Sequence, residues 1–183
     1  MLNGGRGIVA DSIGLIINSA AFDNKSTGIE VNQNGMILGC VSSDNVIGFF
    51  VGSFSQAIKC NAYDNEDDGF QIADQGHVLH CNSSFNNEDG FELMGASGSI
   101  RHCVAHENDT NGIYCSNRPI SAILVSHNGI TDNDTKGLLV DGTGAFVISN
   151  RAAGNTNLGG LNGVGDGNYD LNPQTKYGPI INV

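Results

Sequence analysis

Three of the five histidines in this sequence occupy one recurring place. His80, His102 and His127 stand six residues before Asn86, Asn108 and Asn133, and Lys59 stands six before Asn65. An imidazole changes its charge near neutral pH, so a row of them beside an ammonium could act as general base and as counter-charge to an anionic substrate. Arg101, next to His102, would share that role. Spaced at roughly 5 Å, the same imidazoles could instead hold a transition metal, or form a plain solvated sheet face. His106 follows His102 by four residues, on what reads as the same face.

Carboxylates recur as well. The turns "NEDDG" and "NNEDG" supply Glu66, Asp67, Asp68, Glu88 and Asp89, and the next repeat adds Glu107 and Asp109. Acids on adjacent rungs repel unless bridged, and Ca2+ is the oxygen-seeking ion that would bridge them. The alternative is exposed turns that only keep the chain soluble. No motif requires a cofactor. Five cysteines without a C-x-x-C spacing give neither a disulfide framework nor a zinc knuckle. Cys40, Cys60, Cys81 and Cys103 each lie five residues before an asparagine of the same series, and read as buried inert thiols.

These residues recur because the whole chain does. Gly7, Gly28, Gly48, Gly69, Gly90, Gly112 and Gly137 each precede an apolar residue, at spacings of 21, 20, 21, 21, 22 and 25. A ladder of asparagines from Asn24 to Asn155 keeps step, each four residues before a glycine except Asn45, which is three before. A fixed period in the low twenties denotes a solenoid whose turns bury their apolar side by stacking. After each glycine, positions one and three are apolar and position two varies, as in Phe70-Gln71-Ile72 and Phe91-Glu92-Leu93. That is a strand with one buried face. A second alternation precedes each asparagine, as in Ile37 to Ser42, and no helical stretch fits between. The reading is all-β: a single-stranded parallel β-helix of about seven coils of 20 to 25 residues. In it the asparagines would take left-handed angles and bridge coils, and the glycines would supply positive φ.

The units N-x-x-x-G-[IFL]-x-[VIL], such as Asn24 to Val31, Asn65 to Ile72 and Asn86 to Leu93, resemble the repeats of right-handed parallel β-helix proteins. Pectate lyases and mannuronan epimerases belong to that superfamily. The resemblance runs from about residue 7 to residue 160 and implies a right-handed coil over residues 1–160, closed by a capping segment at 161–183. It further implies a carbohydrate-associated module, glycan-binding or structural, with a polysaccharide as partner and a secreted or cell-surface setting. The alternative it implies is a lyase or epimerase acting on uronate polymers, with His80, His102, His127, Lys59 and Arg101 as catalytic residues. Neither the lyase pattern of aspartates with an arginine on one sheet nor the epimerase-type Y-G-F-D-P-H-E sequence is present. The lengthened repeat "CSNRPISAILVSHNG" is where loops would wall a groove.

The totals set the outer bounds. A formal charge of −11 and a pI near 4.5 argue against nucleic acid and anionic membrane surfaces, which need basic patches. No apolar run approaches the ~20 residues of a membrane span, and the N-terminus lacks a signal-peptide pattern. Met1 to Gly5 lead almost directly into a coil, so the expectation there is a second copy or a missing N-terminal segment.

Overall fold

A chain whose apolar residues alternate every two positions, in repeats too short for a helix, can bury them only by laying strands over strands. The computed structural model describes residues 4–116, 122–141, 144–156, 169–171, 176–177 and 181–182. Its strands fall into three parallel sheets of eight, and each sheet takes every third strand in chain order. None of the described residues is helical.

The first sheet holds the strands that follow the glycine ladder: Ile8–Ser12, Thr27–Gln33, Ile47–Ser53, Phe70–Ile72, Phe91–Leu93, Ile113–Cys115, Leu138–Val140 and Tyr169–Leu171. Two of its strands reach seven residues, so we call it the broad sheet. A typical rung continues through His77–Leu79 in the second sheet and Asn82–Ser84 in the third. The alternation before each asparagine is therefore two strands, not one. Met36–Leu38 and Val41–Ser43 are separated by a two-residue bend at Gly39-Cys40.

Like residues pile up in register. Phe49 pairs with Phe70 and Phe70 with Phe91, and their rings stack at 4.7 and 4.9 Å, fully buried. Cys40, Cys60, Cys81 and Cys103 form a buried column of free thiols at the bend between the second and third sheets. That column carries on as Asn128 and Asn150, and the thiols imitate those amides. The Cys60 N–H donates to Cys81 Sγ at 3.3 Å, as the Cys103 N–H donates to Asn128 Oδ1 at 2.9 Å. Burial pushes the Cys81 thiol up, and Cys115 in the broad sheet up to about 12. Hydrogen bonding from the neighbouring thiol Cys81 pulls Cys60 the other way, and Cys103 is lowered as well.

The asparagine ladder closes the bend between the third sheet and the broad sheet. In each rung the backbone N–H and Nδ2 of one asparagine donate to Oδ1 of the next. The distances are 3.0 and 2.7 Å for Asn24 on Asn45, and 3.2 and 2.8 Å for Asn65 on Asn86. The series continues through Asn108 and Asn133 to Asn155. These asparagines do not take left-handed angles. The positive-φ residues lie at three corners, and at the third corner it is the residue before each asparagine, such as Asp44 or Phe85, that turns left-handed. Nor do the ladder glycines serve φ. A Cβ on Gly90 would stand 2.6 Å from Gly112 O and 2.8 Å from Asn108 Nδ2, so the glycine makes room for the ladder.

Most of the segment 161–183 lies outside the described residues. Its strands Tyr169–Leu171, Lys176–Tyr177 and Ile181–Asn182 each add the last strand to one sheet.

Replacing Asn86 by Ala leaves the Asn65 N–H and Nδ2 without their acceptor in a dry bend. At roughly 1–3 kcal/mol for each orphaned donor, denaturant unfolding should show a loss of about 2–4 kcal/mol. Asn87→Ala, at an exposed neighbour, should stay within about 0.5 kcal/mol of the parent.

Candidate functional site

The corners decide where the sequence-predicted histidines go. Each two-residue bend between the second and third sheets needs one left-handed residue, and Asn18, Gly39, Lys59, His80, His102, His127 and Ser149 fill that place in successive rungs. Asparagine and histidine are among the side chains that tolerate this region. The row is thus a corner column, not a strand face. His80 and His102 stack with ring centroids 5.1 Å apart, and His102 and His127 at 5.0 Å. All three are exposed, as is Lys59 one rung away. Partial desolvation, then His127, His80 and Arg101, hold the His102 imidazole below its ordinary value. Arg101 joins from the adjoining edge of the second sheet, half-buried, its Nε without a hydrogen-bond partner.

His106 does not share that face. It ends a strand of the third sheet, where Nδ1 meets Thr131 Oγ1 at 2.9 Å. Glu107 and Asp132 each approach its ring at 3.5 Å, and Phe85 packs edge-on at 5.9 Å. The lengthened loop of the repeat after Gly112 falls on residues 117–121, outside the described residues.

The carboxylates divide. Glu66, Glu88 and Asp109 are exposed, whereas Asp68 and Asp89 are buried. Asp68 Oδ1 accepts the Asp89 N–H at 2.9 Å, and its Oδ2 accepts Gln71 Nε2 at 2.9 Å. Asp89 Oδ1 in turn accepts from the Asn111 N–H, Asn111 Nδ2 and Thr110 Oγ1 at 2.8–2.9 Å. This short ladder, directly before the glycines, runs opposite to the asparagine ladder, because each acceptor now serves the following rung. Burial, with the neighbouring Asp89 adding to it, pushes Asp68 up to about 8; burial raises Asp89 too. Asp68 is thus kept largely neutral by a retained proton, while backbone and amide donors take its lone pairs. Among the described residues no group of three or more His, Cys, Asp or Glu side chains comes together as a metal-holding set. The sequence signal for this ladder was the position just before each glycine, where acid or amide recurs in three successive rungs.

Beside it lies the outward column of the broad sheet, with Glu30, Phe50, Gln71, Glu92 and Tyr114 paired rung to rung. Tyr114 donates its hydroxyl to Asp141 Oδ2 at 3.2 Å, and burial raises its pKa. At the first rungs a hollow of about 340 Å3 is lined by Arg6, Ser26, Thr27, Glu30, Asn32 and Phe50. Its floor is an ion pair, Arg6 Nη1 to Glu30 Oε1 at 3.1 Å, with the glutamate side chain only 7% exposed. The strip therefore offers aromatic faces, amides, hydroxyls and carboxylates in line, one rung per about 4.8 Å.

The profile of the family described as "Right handed beta helix region" matches residues 2–157. No curated protein sequence matches the chain. Among solved structures, pectate lyase Pel9A aligns with a TM-score of 0.71 at 17% identity, over 94% of this chain and 50% of its own. The periplasmic alginate epimerase AlgG gives 0.74 at 13%, over 97% of this chain and 47% of its own. The A-module of the Azotobacter vinelandii mannuronan C-5 epimerase AlgE4 gives 0.70 at 15%, over 97% and 59%. The chain spans about half the length of these structures, and at such identities the likeness is one of fold.

The raised Asp68 pKa has a stability signature. The native state holds a proton that the unfolded chain gives up near its ordinary value of 3.8, so stability contributed at low pH is lost as pH rises to about 8. Asp68→Asn should match the parent below about pH 4 and then gain on it by up to about 1.4 kcal/mol per pH unit until about pH 8. Denaturant unfolding across that range measures it.

Proposed function

The chain belongs to the right-handed β-helix family, and from that premise we propose that it is a glycan-contacting module whose broad sheet lies against an extended polysaccharide. The observation that carries this is the hollow at Phe50, continued along the sheet by Gln71, Glu92 and Tyr114. Apolar ring faces pack on the C–H faces of a sugar, while Asn32, Ser26, Thr27 and the Arg6–Glu30 pair take its hydroxyls. A linear polymer of sugars meets a linear column of side chains. The carbohydrate-acting names of the structural neighbours support the same class of ligand. Glu92 and Asp141 add carboxylates to this strip, which favours a neutral polymer over a uronate at that place.

One observation favours a second reading, a lyase or epimerase on uronate polymers using His80, His102, His127, Lys59 and Arg101. The His102 imidazole, held low, is unprotonated at neutral pH and so is available as a base beside the Arg101 cation. The corner is exposed, however, and water exclusion, which such chemistry uses, would have to come from elsewhere.

Affinity electrophoresis through gels carrying neutral and uronate polysaccharides separates these readings. The module reading expects retardation by a neutral polymer, weakened about tenfold by Phe50→Ala, with no new unsaturated or epimerised residues in any polymer. Turnover that His102→Asn abolishes would establish the second reading. Unretarded migration in every gel would remove the first.

A further inference from the structure

The corner column has a chemistry of its own, apart from the broad sheet. The chain holds 19 carboxylates against eight Lys and Arg, yet none of the carboxylates stands in the corner column between Asn18 and Ser149. None stands in the flanking columns either, from Ile17 to Ile148 on the second sheet and from Ala20 to Arg151 on the third. Into this acid-free strip the chain places Lys59, Arg101, Arg151 and three of its five histidines. Arg6 and Lys136 elsewhere are paired with Glu30 and Asp170, but Lys59, Arg101 and Arg151 form no ion pair among the described residues.

From this we infer that the corner is a second binding site, a protonation-gated strip for an anionic extended polymer, engaged by His80, His102 and His127 together with Lys59, Arg101 and Arg151. The rings stand one rung apart, at 5.1 and 5.0 Å, so their N–H donors repeat along a line as the charges of a carboxylated or sulfated glycan do. Among the described residues, the charged or titratable groups that act on the middle ring, His102, are His127, His80 and Arg101. Lys59 lies one rung from His80, Arg101 adjoins His102 from the second sheet with His77 on the far side of that arginine, and Arg151 stands on the third. His77 is tied by Nδ1 to Ser99 Oγ at 2.9 Å. Glu107 and Asp132 lie at the other edge of the third sheet, beside His106. Empty, the middle ring, His102, is disfavoured as a cation by partial desolvation and by His127, His80 and Arg101 around it. A bound polyanion favours the cation, so binding and proton uptake are linked and both strengthen as pH falls through the imidazole range.

The site does not depend on the broad-sheet reading. Titration calorimetry with oligogalacturonate and with dextran sulfate, against neutral dextran, at about pH 5.5 and about pH 7.5 tests it. Both anionic chains should bind about tenfold or more tightly at the lower pH, with proton uptake seen as a buffer-dependent heat. The double variant His102→Asn/His127→Asn, which puts a residue that tolerates the corner geometry in both places, should cut the pH dependence to that of the one remaining ring, His80. Phe50→Ala should leave this binding unchanged, so a failure here is distinguishable from a failure at the broad sheet. The inference is overturned by pH-independent binding, by undiminished binding in the double variant, by equal affinity for duplex DNA, or by no binding at the lower pH.

Discussion

The stacked amide of the asparagine ladder is the constraint on which the rest depends. A side chain that accepts two hydrogen bonds from the rung before and gives its own to the rung after can do so only if successive rungs lie directly over one another. A slip of one residue would break those bonds and turn each inward side chain outward. Once the asparagines are in column, everything else is in column: phenylalanine on phenylalanine in the core, thiol on thiol at the second bend, imidazole on imidazole outside it. The glycine four residues on follows from the same demand, since its missing Cβ is the space the neighbouring amide occupies.

Corners are the second half of the constraint. Three bends per rung each need one residue in the left-handed region, and the chain fills them mostly with polar side chains that are exposed by position. What fills each corner is then free to differ in charge. The second corner carries Lys59 and the histidines, and the third carries Asp23, Asp44, Asp64, Glu107 and Asp132. A requirement of backbone geometry thus yields a line of imidazoles and a line of carboxylates on the two edges of one narrow sheet.

The same logic explains what the sequence disclosed. Period, strand character after each glycine, the buried asparagines and the thiol stack were all legible, because a column repeats a residue type at a fixed spacing and the spacing survives in one dimension. The histidine row was legible for the same reason, but its position was not. Sequence periodicity cannot tell a strand residue from a bend residue when the bend is only two residues long, as at His80-Cys81. That ambiguity also merged the second and third strands into one and moved His106 to the wrong face. Asp68 and Asp89 were read among exposed acids because burial of a carboxylate runs against composition. The proton that burial retains, with the backbone donor above and the Gln71 amide beside it, makes such burial tolerable.

Columns also limit what chemistry this scaffold supports unaided. Side chains that project in parallel, one per rung, do not converge on a single atom, whereas acid–base catalysis needs groups aimed at one reacting centre. They do match a ligand that itself repeats. Convergence arises where neighbouring columns lean together, as Asp68, Gln71, Asp89 and Asn111 do across three rungs, and there the groups are spent on one another. Among the described residues, the hollow at Phe50 and the imidazole corner are two places where polar groups face solvent along a column.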